Sequence, residues 1–580
     1  MTFLRFLRSS ARFMKPYNAV RSVTFDAAQC EALFQSPTRW LWNEKEQRRA
    51  RRLEFDPEAL QRIACDALGA SECTAFEPLA EGMFLSARLF YTMFHLRKGS
   101  YNRTFRLSFD NGAQATAKFP FPLPGHTPLR TSSEVATLQF VQEATTIPIP
   151  VPKVLAWSAQ KDATPVGSEF ILLEYIPGVM LTHRWDEPDL DIGSVFWPLL
   201  LYEREFHEAH FASIGSLYFK EDVSFNLQQR PLFANDVPPS YEAAKDKYRV
   251  GPLADRQHWR GSRSDEMYDH GPWPDMLSYF RAVANNQILF LKHHAEDEAP
   301  FRRPPFHPRD VHISILETFL EAIPLVLPPP GHQIPLLWHP DLSAQNIIVD
   351  AEGRRSSCCL LIDWQDTTVS PFFMQGTPPP LIIVDDDEFG FKPKDGVRDP
   401  DPFPDDLEAA GISATDEDRA RLMYERVCRM MWYMGKLLNQ EHRAPVLVYP
   451  HTDTLGMLPH YITRSWEDGI IPLRKALYKI DELWDYLAEP GTPRPAALVK
   501  MCHNRAADEA EHAMWDQWME ATATALDWIA CRDDGLLSEN ETVAQVTRDV
   551  IPQLKQQWAT DDNFPEPYPF ADGQYSFFLT

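Results

Sequence analysis

His339-Pro340-Asp341-Leu342-Ser343-Ala344-Gln345-Asn346-Ile347-Ile348-Val349, followed by Leu360-Leu361-Ile362-Asp363-Trp364, decides how this chain folds. Asp341 and Asn346 stand five positions apart on a loop, and Asn346 opens a short β-branched run with strand character. Ala351-Glu352-Gly353-Arg354 supplies a turn, and residues 359–362 return antiparallel to the first strand. Such a hairpin carries Asp363 back beside Asn346 despite the 17 positions between them. An amide oxygen and a carboxylate brought together suit Mg²⁺, a hard cation that also keeps water and phosphate oxygens in its shell. Asp341, projecting from the loop, can accept or orient the proton of an attacking hydroxyl.

Around this stretch the chain has 580 residues, 44% of them hydrophobic and 12% aromatic, enough for a sizeable core in two to four domains or one enlarged two-lobed unit. Fifty prolines, clustered near 300–308, 328–330 and 378–380, point to long ordered excursions between elements. Against 82 acidic residues stand 57 Lys and Arg, and the net charge of −25 argues against a nucleic-acid partner. No apolar run reaches the length of a transmembrane helix. The eight cysteines (Cys30, Cys65, Cys73, Cys358, Cys359, Cys428, Cys502 and Cys531) form no CxxC and read as reduced thiols. His207 and His210 lack the HExxH spacing and read as partly buried helix residues.

Residues 52–68 read as a helix starting near Asp56-Pro57, and 101–109 and 113–119 as a hairpin around Asp110-Asn111-Gly112. A helix over 132–144 and strands at 154–157 and 169–175 follow, giving the order strand, strand, helix, strand, strand. After Pro177-Gly178 the pattern turns helical, at 196–211, 275–295, 312–322 and from about 413 onward, interrupted by the one hairpin at 346–363. A capping box at Ser538-Glu539-Asn540-Glu541 precedes the last helix, which Pro552 should kink or end.

HxDLxxxN followed by a strand ending in Ile-Asp-Trp resembles the aminoglycoside phosphotransferases and choline-kinase-like enzymes, within the protein-kinase-like fold. The resemblance implies an α+β, two-lobed architecture, with a small β-rich N-lobe and a large, mostly helical C-lobe. It implies ATP and Mg²⁺ as cofactors, with Asp341 as catalytic base and Asn346 and Asp363 as metal ligands. A strand Lys on the phosphates and a helix Glu holding it fall on Lys118 and Glu134, 16 residues apart. Glu174 and Tyr175 fall where a hinge would meet adenine. No GxGxxG is visible in the first hairpin, and Gly99 with Ser100 is the best candidate for close backbone approach to phosphate.

Gly99-Ser100-Tyr101-Asn102-Arg103-Thr104-Phe105, Gly215-Ser216-Leu217-Tyr218-Phe219, Gly271-Pro272-Trp273 and Ile362-Asp363-Trp364-Gln365 narrow the resemblance. They are similar to the fungal mitochondrial branch of altered inheritance of mitochondria protein 9 and its relatives. That likeness runs from about residue 45 to 570. The first 25 residues carry Arg5, Arg8, Arg12, Lys15 and Arg21 and no acid, beside an apolar face of Leu4, Leu7, Ala11 and Met14, as a mitochondrial presequence does. The expected organisation is a presequence at 1–25, an N-lobe at 45–175, a C-lobe at 176–480 and a helical extension at 481–580. Within the N-lobe, residues 83–98 form an acid-free insertion or a translated intron at the phosphate-covering turn. The acidic run from Asp385 to Asp406 is either a solvated loop or a border of the acceptor site. The expected function is transfer of the γ-phosphoryl group of ATP to a hydroxyl of an acceptor in mitochondria. The competing expectation is a catalytically weak or inactive nucleotide-binding scaffold.

Overall fold

The computed structural model describes residues 21–36, 38–79, 101–123, 127–295, 303–350, 360–384, 387–393, 400–449, 452–528 and 541–560. Outside them lie most of the presequence-like start, the insertion at 83–98, Gly99 and Ser100, and the turn at 351–354. So do Cys358, Cys359, Cys531, Asp385, Asp386, Asp395, Asp399 and the residues 538–540 of the capping box.

Residues 21–25 are tied into the fold. The Arg21 N–H donates to Ser71 O at 3.3 Å, the Val23 N–H donates to Gln61 Oε1 at 2.8 Å, and Phe25 packs edge-on against Phe76 at 5.5 Å. Helix α1 (Ala27–Phe34) follows under an Asp26–Gln29 capping box, and α2 (Glu44–Ala50) comes next. Residues 21–25 and α1 thus pack against the N-lobe core. Helix α3 (Pro57–Leu68) is capped by Asp56, whose carboxylate accepts from the Glu58 and Ala59 N–H groups, with Pro57 at its first position.

The lobe's sheet is antiparallel, with β1 (Cys73–Pro78), β2 (Asn102–Phe109), β3 (Gln114–Pro120), β4 (Val154–Ser158) and β5 (Phe170–Glu174) in the order β1-β2-β3-β5-β4. Helix α4 (Thr127–Ala144) lies between β3 and β4 in sequence. The strand period of two sorts residues between two cores. Phe170 and Leu172 join Phe105, Leu107, Phe119, Leu60 and Ile63 on one face, while Ile171 and Leu173 join Val135, Leu138 and Val141 of α4 on the other. Lys118 stands between Ala117 and Phe119 of the first core, so it points to the α4 side. Strand β1 was not foreseen, because only Cys73 and Phe76 of its six residues are buried and its apolar signal is faint.

The chain crosses to the C-lobe through β6 (Val179–Met180), which pairs with β10 (Ile347–Val349), and β10 pairs with β11 (Leu360–Leu361). Gly178 permits that crossing, since a Cβ there would stand 2.6 Å from Ile348 Cγ2 and 2.7 Å from the Val349 carbonyl oxygen. Helix α5 (Ile192–His207) leads to β7 (Ser216–Phe219), then α6 (Phe225–Gln228), α7 (Ala244–Lys247) and β8 (Tyr248–Gly251). Helices α8 (Met276–His293) and α9 (Arg309–Ala322) come before β9 (Pro335–Leu337), and β12 (Val369–Pro371) before α10 (Glu417–Leu438). Two further pairs, β7 with β8 and β9 with β12, correct the expectation that one hairpin interrupts the helices. Their strands are three or four residues long, too short to show a period.

The last described helices, Arg505–Trp528 and Glu541–Thr560, pack Ala521, Ala525, Leu526, Leu554 and Trp558 on Trp42. They therefore reach the N-lobe's leading segment as well as the C-lobe. The final helix continues through Pro552 to Thr560 instead of ending there. Cys30, Cys65, Cys73, Cys428 and Cys502 are free thiols. Among the described residues no helix is long and apolar enough to cross a membrane.

Candidate functional site

Between the lobes, three elements bring one cation and two carboxylates together. Lys118 Nζ, from β3, lies 2.6 Å from Glu134 Oε1 on α4 and 2.9 Å from Asp363 Oδ1 just beyond β11. Lys118 and Glu134 are 8% and 5% exposed, so water screens these contacts little. Burial works to lower the Lys118 pKa, but the Asp363 and Glu134 carboxylates outweigh it and hold the ammonium above its ordinary range. Burial pushes Glu134 above the usual carboxylate range, against the pull of Lys118.

Asp363 takes its place through the small sheet. Ile347 pairs with Leu361, and the Ile362 N–H donates to the Asn346 carbonyl at 3.0 Å, so Asp363 leaves the strand one residue beyond a bond to Asn346. Its φ of +61° is left-handed, which Asp tolerates better than most residues. Trp364 is fully buried beneath it, with its ring 4.7 Å from that of His339 and its Nε1 donating to Leu361 O at 3.2 Å.

The loop before β10 is held from within. Asn346 Nδ2 donates to Asp341 O at 2.8 Å and to Asp341 Oδ2 at 3.0 Å. His339 Nδ1 accepts the Asp341 N–H at 3.2 Å, which leaves Nε2 to donate to Ile362 O at 2.9 Å. The imidazole therefore ties the Asp341 loop to the strand that delivers Asp363. With its Nδ2 committed to Asp341, the Asn346 amide keeps its oxygen as the ligand it can offer. An amide oxygen beside a carboxylate matches the oxygen preference of Mg²⁺, which takes few protein ligands and completes its shell with phosphate and water. Among the described residues no group of three or more His, Cys, Asp or Glu side chains could hold a metal.

The structure thus joins Lys118, Glu134 and Asp363 in one contact and Asp341 with Asn346 in another. Glu174 and Tyr175 lie at the end of β5, where the Glu174 N–H donates to Lys153 O at 2.8 Å and the Tyr175 N–H to Gln114 O at 3.3 Å. Both N–H groups are used within the sheet, so an adenine contact through them would have to displace those bonds. The chain beyond the site stays close, as the Leu381 N–H donates to Leu342 O at 3.0 Å. The acidic segment then leaves across α10, with Glu388 paired to Arg419 at 3.0 Å. His207 and His210 lie apart from the site, and burial lowers the His207 pKa to about 4.

Sequence reasoning left several side chains unassigned. His339 was in plain view beside Asp341. Asn102, whose Nδ2 donates to Gln365 Oε1 at 2.6 Å, and Arg130, paired with Asp366, gave no signal because their partners lie more than 230 positions away.

A β-rich lobe holding a Lys–Glu pair over an HxDLxxxN loop defines a protein of the kinase-like class. The phosphotransferase enzyme family matches residues 95–374, and the chain has the kinase-like fold of the aminoglycoside phosphotransferases and is related to the fungal altered inheritance of mitochondria protein 9 branch. A subtelomeric hrmA-associated cluster protein of Aspergillus fumigatus is 28% identical over 438 residues, covering 69% of this chain and 80% of that one. Altered inheritance of mitochondria protein 9, mitochondrial, of Eremothecium gossypii is 23% identical over 507 residues, covering 78% and 79%. A solved aminoglycoside 2'-phosphotransferase in complex with GDP is similar at 13% identity and a TM-score of 0.30, covering 74% of this chain and 97% of that one.

Proposed function

We propose that the chain is an ATP- and Mg²⁺-dependent phosphotransferase that moves the γ-phosphoryl group to a hydroxyl of an acceptor. The observation that carries this reading is the contact of Lys118 with both Glu134 and Asp363, beside a loop in which Asn346 fixes Asp341. Lys118 holds the phosphates, and Glu134 holds Lys118. Asp341 is the base that takes the acceptor proton as the oxygen attacks phosphorus. Asn346 and Asp363 hold Mg²⁺, which neutralises charge on the phosphate oxygens when bound. Gly99 and Ser100 approach the phosphates, and the Glu174–Tyr175 backbone meets the base. Asp363 would be free to serve a bound metal once Lys118, with Glu134 behind it, is drawn to the phosphates.

The presequence-like start and the mitochondrial names of several fungal relatives support a mitochondrial location. The address then lies within residues 1–20, since Arg21 and Val23 are bonded into the N-lobe. The lobes run to 175 and from 176 to 480, with 481–580 as a helical extension.

Asp341→Asn tests the assignment. Nucleotide affinity should stay within a few-fold, and phosphoryl transfer should fall by a factor on the order of 10² or more. Full turnover in that variant would remove Asp341 as the base. Nucleotide binding by the wild type with no transfer to any hydroxyl acceptor would make the chain a scaffold.

A further inference from the structure

The turn that carries Asp363 is gripped by a row of N-lobe side chains. Lys118 takes Asp363, Asn102 takes Gln365, and Arg130 takes Asp366. The last is the most elaborate of the three. Arg130 Nε and Nη2 meet the two carboxylate oxygens of Asp366 at 2.8 and 3.1 Å, in the two-pronged geometry that fixes orientation as well as charge. Arg130 is 4% exposed and Asp366 9%. Asp366, like Asp363, is left-handed, at φ +59°. Two such residues three apart make a turn that needs outside support. Tyr101, the first described residue after the phosphate-covering segment, sits against the same group, with Arg130 5.7 Å and Arg256 4.6 Å from its ring centre. On the far side, Ser216 Oγ donates to Thr367 O at 3.1 Å.

Arg130 and Glu134 are one helical turn apart on α4, and so lie on one face of it. That helix therefore presents a carboxylate to Lys118 and a guanidinium to the Asp363 turn at once. We propose that Arg130 and Asp366 are positioning residues, whose buried pair locks the helix carrying Glu134 to the turn carrying the metal ligand Asp363. Helix and turn then move as one body, and Lys118 meets its two carboxylates in a fixed geometry. This rests on the roles given above to Glu134 and Asp363.

The test uses the full-length protein with Arg130→Met, Asp366→Asn and the two combined. Hydrogen exchange is first followed without nucleotide. Arg130→Met should speed exchange about tenfold across 362–369, and Asp366→Asn should do so across 130–137, each loosening the segment it does not occupy. The double variant should be no faster than the faster single one. Loosening confined to the substituted segment, or none at all, overturns the proposal. If Arg130→Met fails to fold, Asp366→Asn, which keeps its shape, decides alone. The second readout is the Mg²⁺ concentration that half-saturates stabilisation by ATP. It should rise about tenfold in Asp366→Asn, and full stabilisation should return at high Mg²⁺. A purely structural role would lower the unfolding temperature equally with and without Mg²⁺ and leave the midpoint in place, which also overturns the proposal. A wild type that ignores Mg²⁺ and ATP refutes the phosphotransferase reading, while the exchange result still decides the lock.

Discussion

Lys118→Met removes the charge between Glu134 and Asp363 while keeping most of the side-chain volume. Two carboxylates would then share the site, with Glu134 buried behind a lobe core and Arg130, one helical turn away on α4, acting on it only from a distance. Breaking a buried ion pair from one side costs about 3–5 kcal/mol, most of it the penalty of stranding the remaining charge. That penalty carries a pH signature. Glu134 already lies above its ordinary value of 4.5 through burial, and loss of Lys118 raises it further. A carboxyl whose folded pKa exceeds its unfolded one binds more protons in the native state, so stability falls as pH rises between the two values. Each pH unit in that window is worth about 1.36 kcal/mol per proton. The deficit should therefore be small near pH 5 and grow as the pH rises toward 8. Lys118 stays charged throughout that range in the wild type, because its own value lies above 10.5. The assay is native-state hydrogen exchange of the β3 amides, whose opening free energy reports this lobe directly. Glu134→Gln in the Lys118→Met background should restore most of the loss at pH 8. A deficit that is absent, or equal at pH 5 and pH 8, would refute the electrostatic account of the site.

Three further outcomes follow from the same geometry. Asp363→Asn should abolish the Mg²⁺ dependence of ATP stabilisation in a thermal-shift titration. Because Asp363 also holds Lys118 at 2.9 Å, the same change should lower metal-free stability by about 2 kcal/mol. Gly178→Ala should destabilise the lobe crossing by about 1–3 kcal/mol, since its Cβ would collide with Ile348 and the Val349 carbonyl; faster exchange of the β10 amides would show it. Deleting residues 1–20 should leave the fold and melting temperature unchanged and the protein cytosolic by fluorescence microscopy, and mitochondrial import of the truncated chain would exclude the address.

Much of the site was legible because its signals are local. Asp341, Asn346 and Asp363 sit at fixed offsets around one hairpin, and the Asp110-Asn111-Gly112 turn with its alternating flanks sets the parity that aims Lys118 at α4. Helix α4 itself was read as starting at Ser132, and the five residues that the structure adds, from Thr127, include Arg130. That shift hid the pairing with Asp366, since a buried Arg has no sequence signature until its partner is known. Strand β1 and the pairs β7–β8 and β9–β12 escaped for another reason. Strand β1 has only two buried residues among six, and the paired strands are three or four residues long, so no alternation marks any of them. The hold on residues 21–25 was hidden by their basic, acid-free neighbours, which read as a leader although Phe25 packs against the N-lobe core.

The central claim is that this site binds a nucleotide through Mg²⁺. Thermal unfolding of the wild-type protein with ATP, with and without Mg²⁺, tests it most directly. Nucleotide at a hundredfold excess over its dissociation constant stabilises the native state by about 2.7 kcal/mol. The account predicts a clear upward shift with Mg²⁺ and ATP together that chelation with EDTA reverses. Identical melting curves in millimolar ATP with and without Mg²⁺, superimposed on the curve of the protein alone, would contradict it.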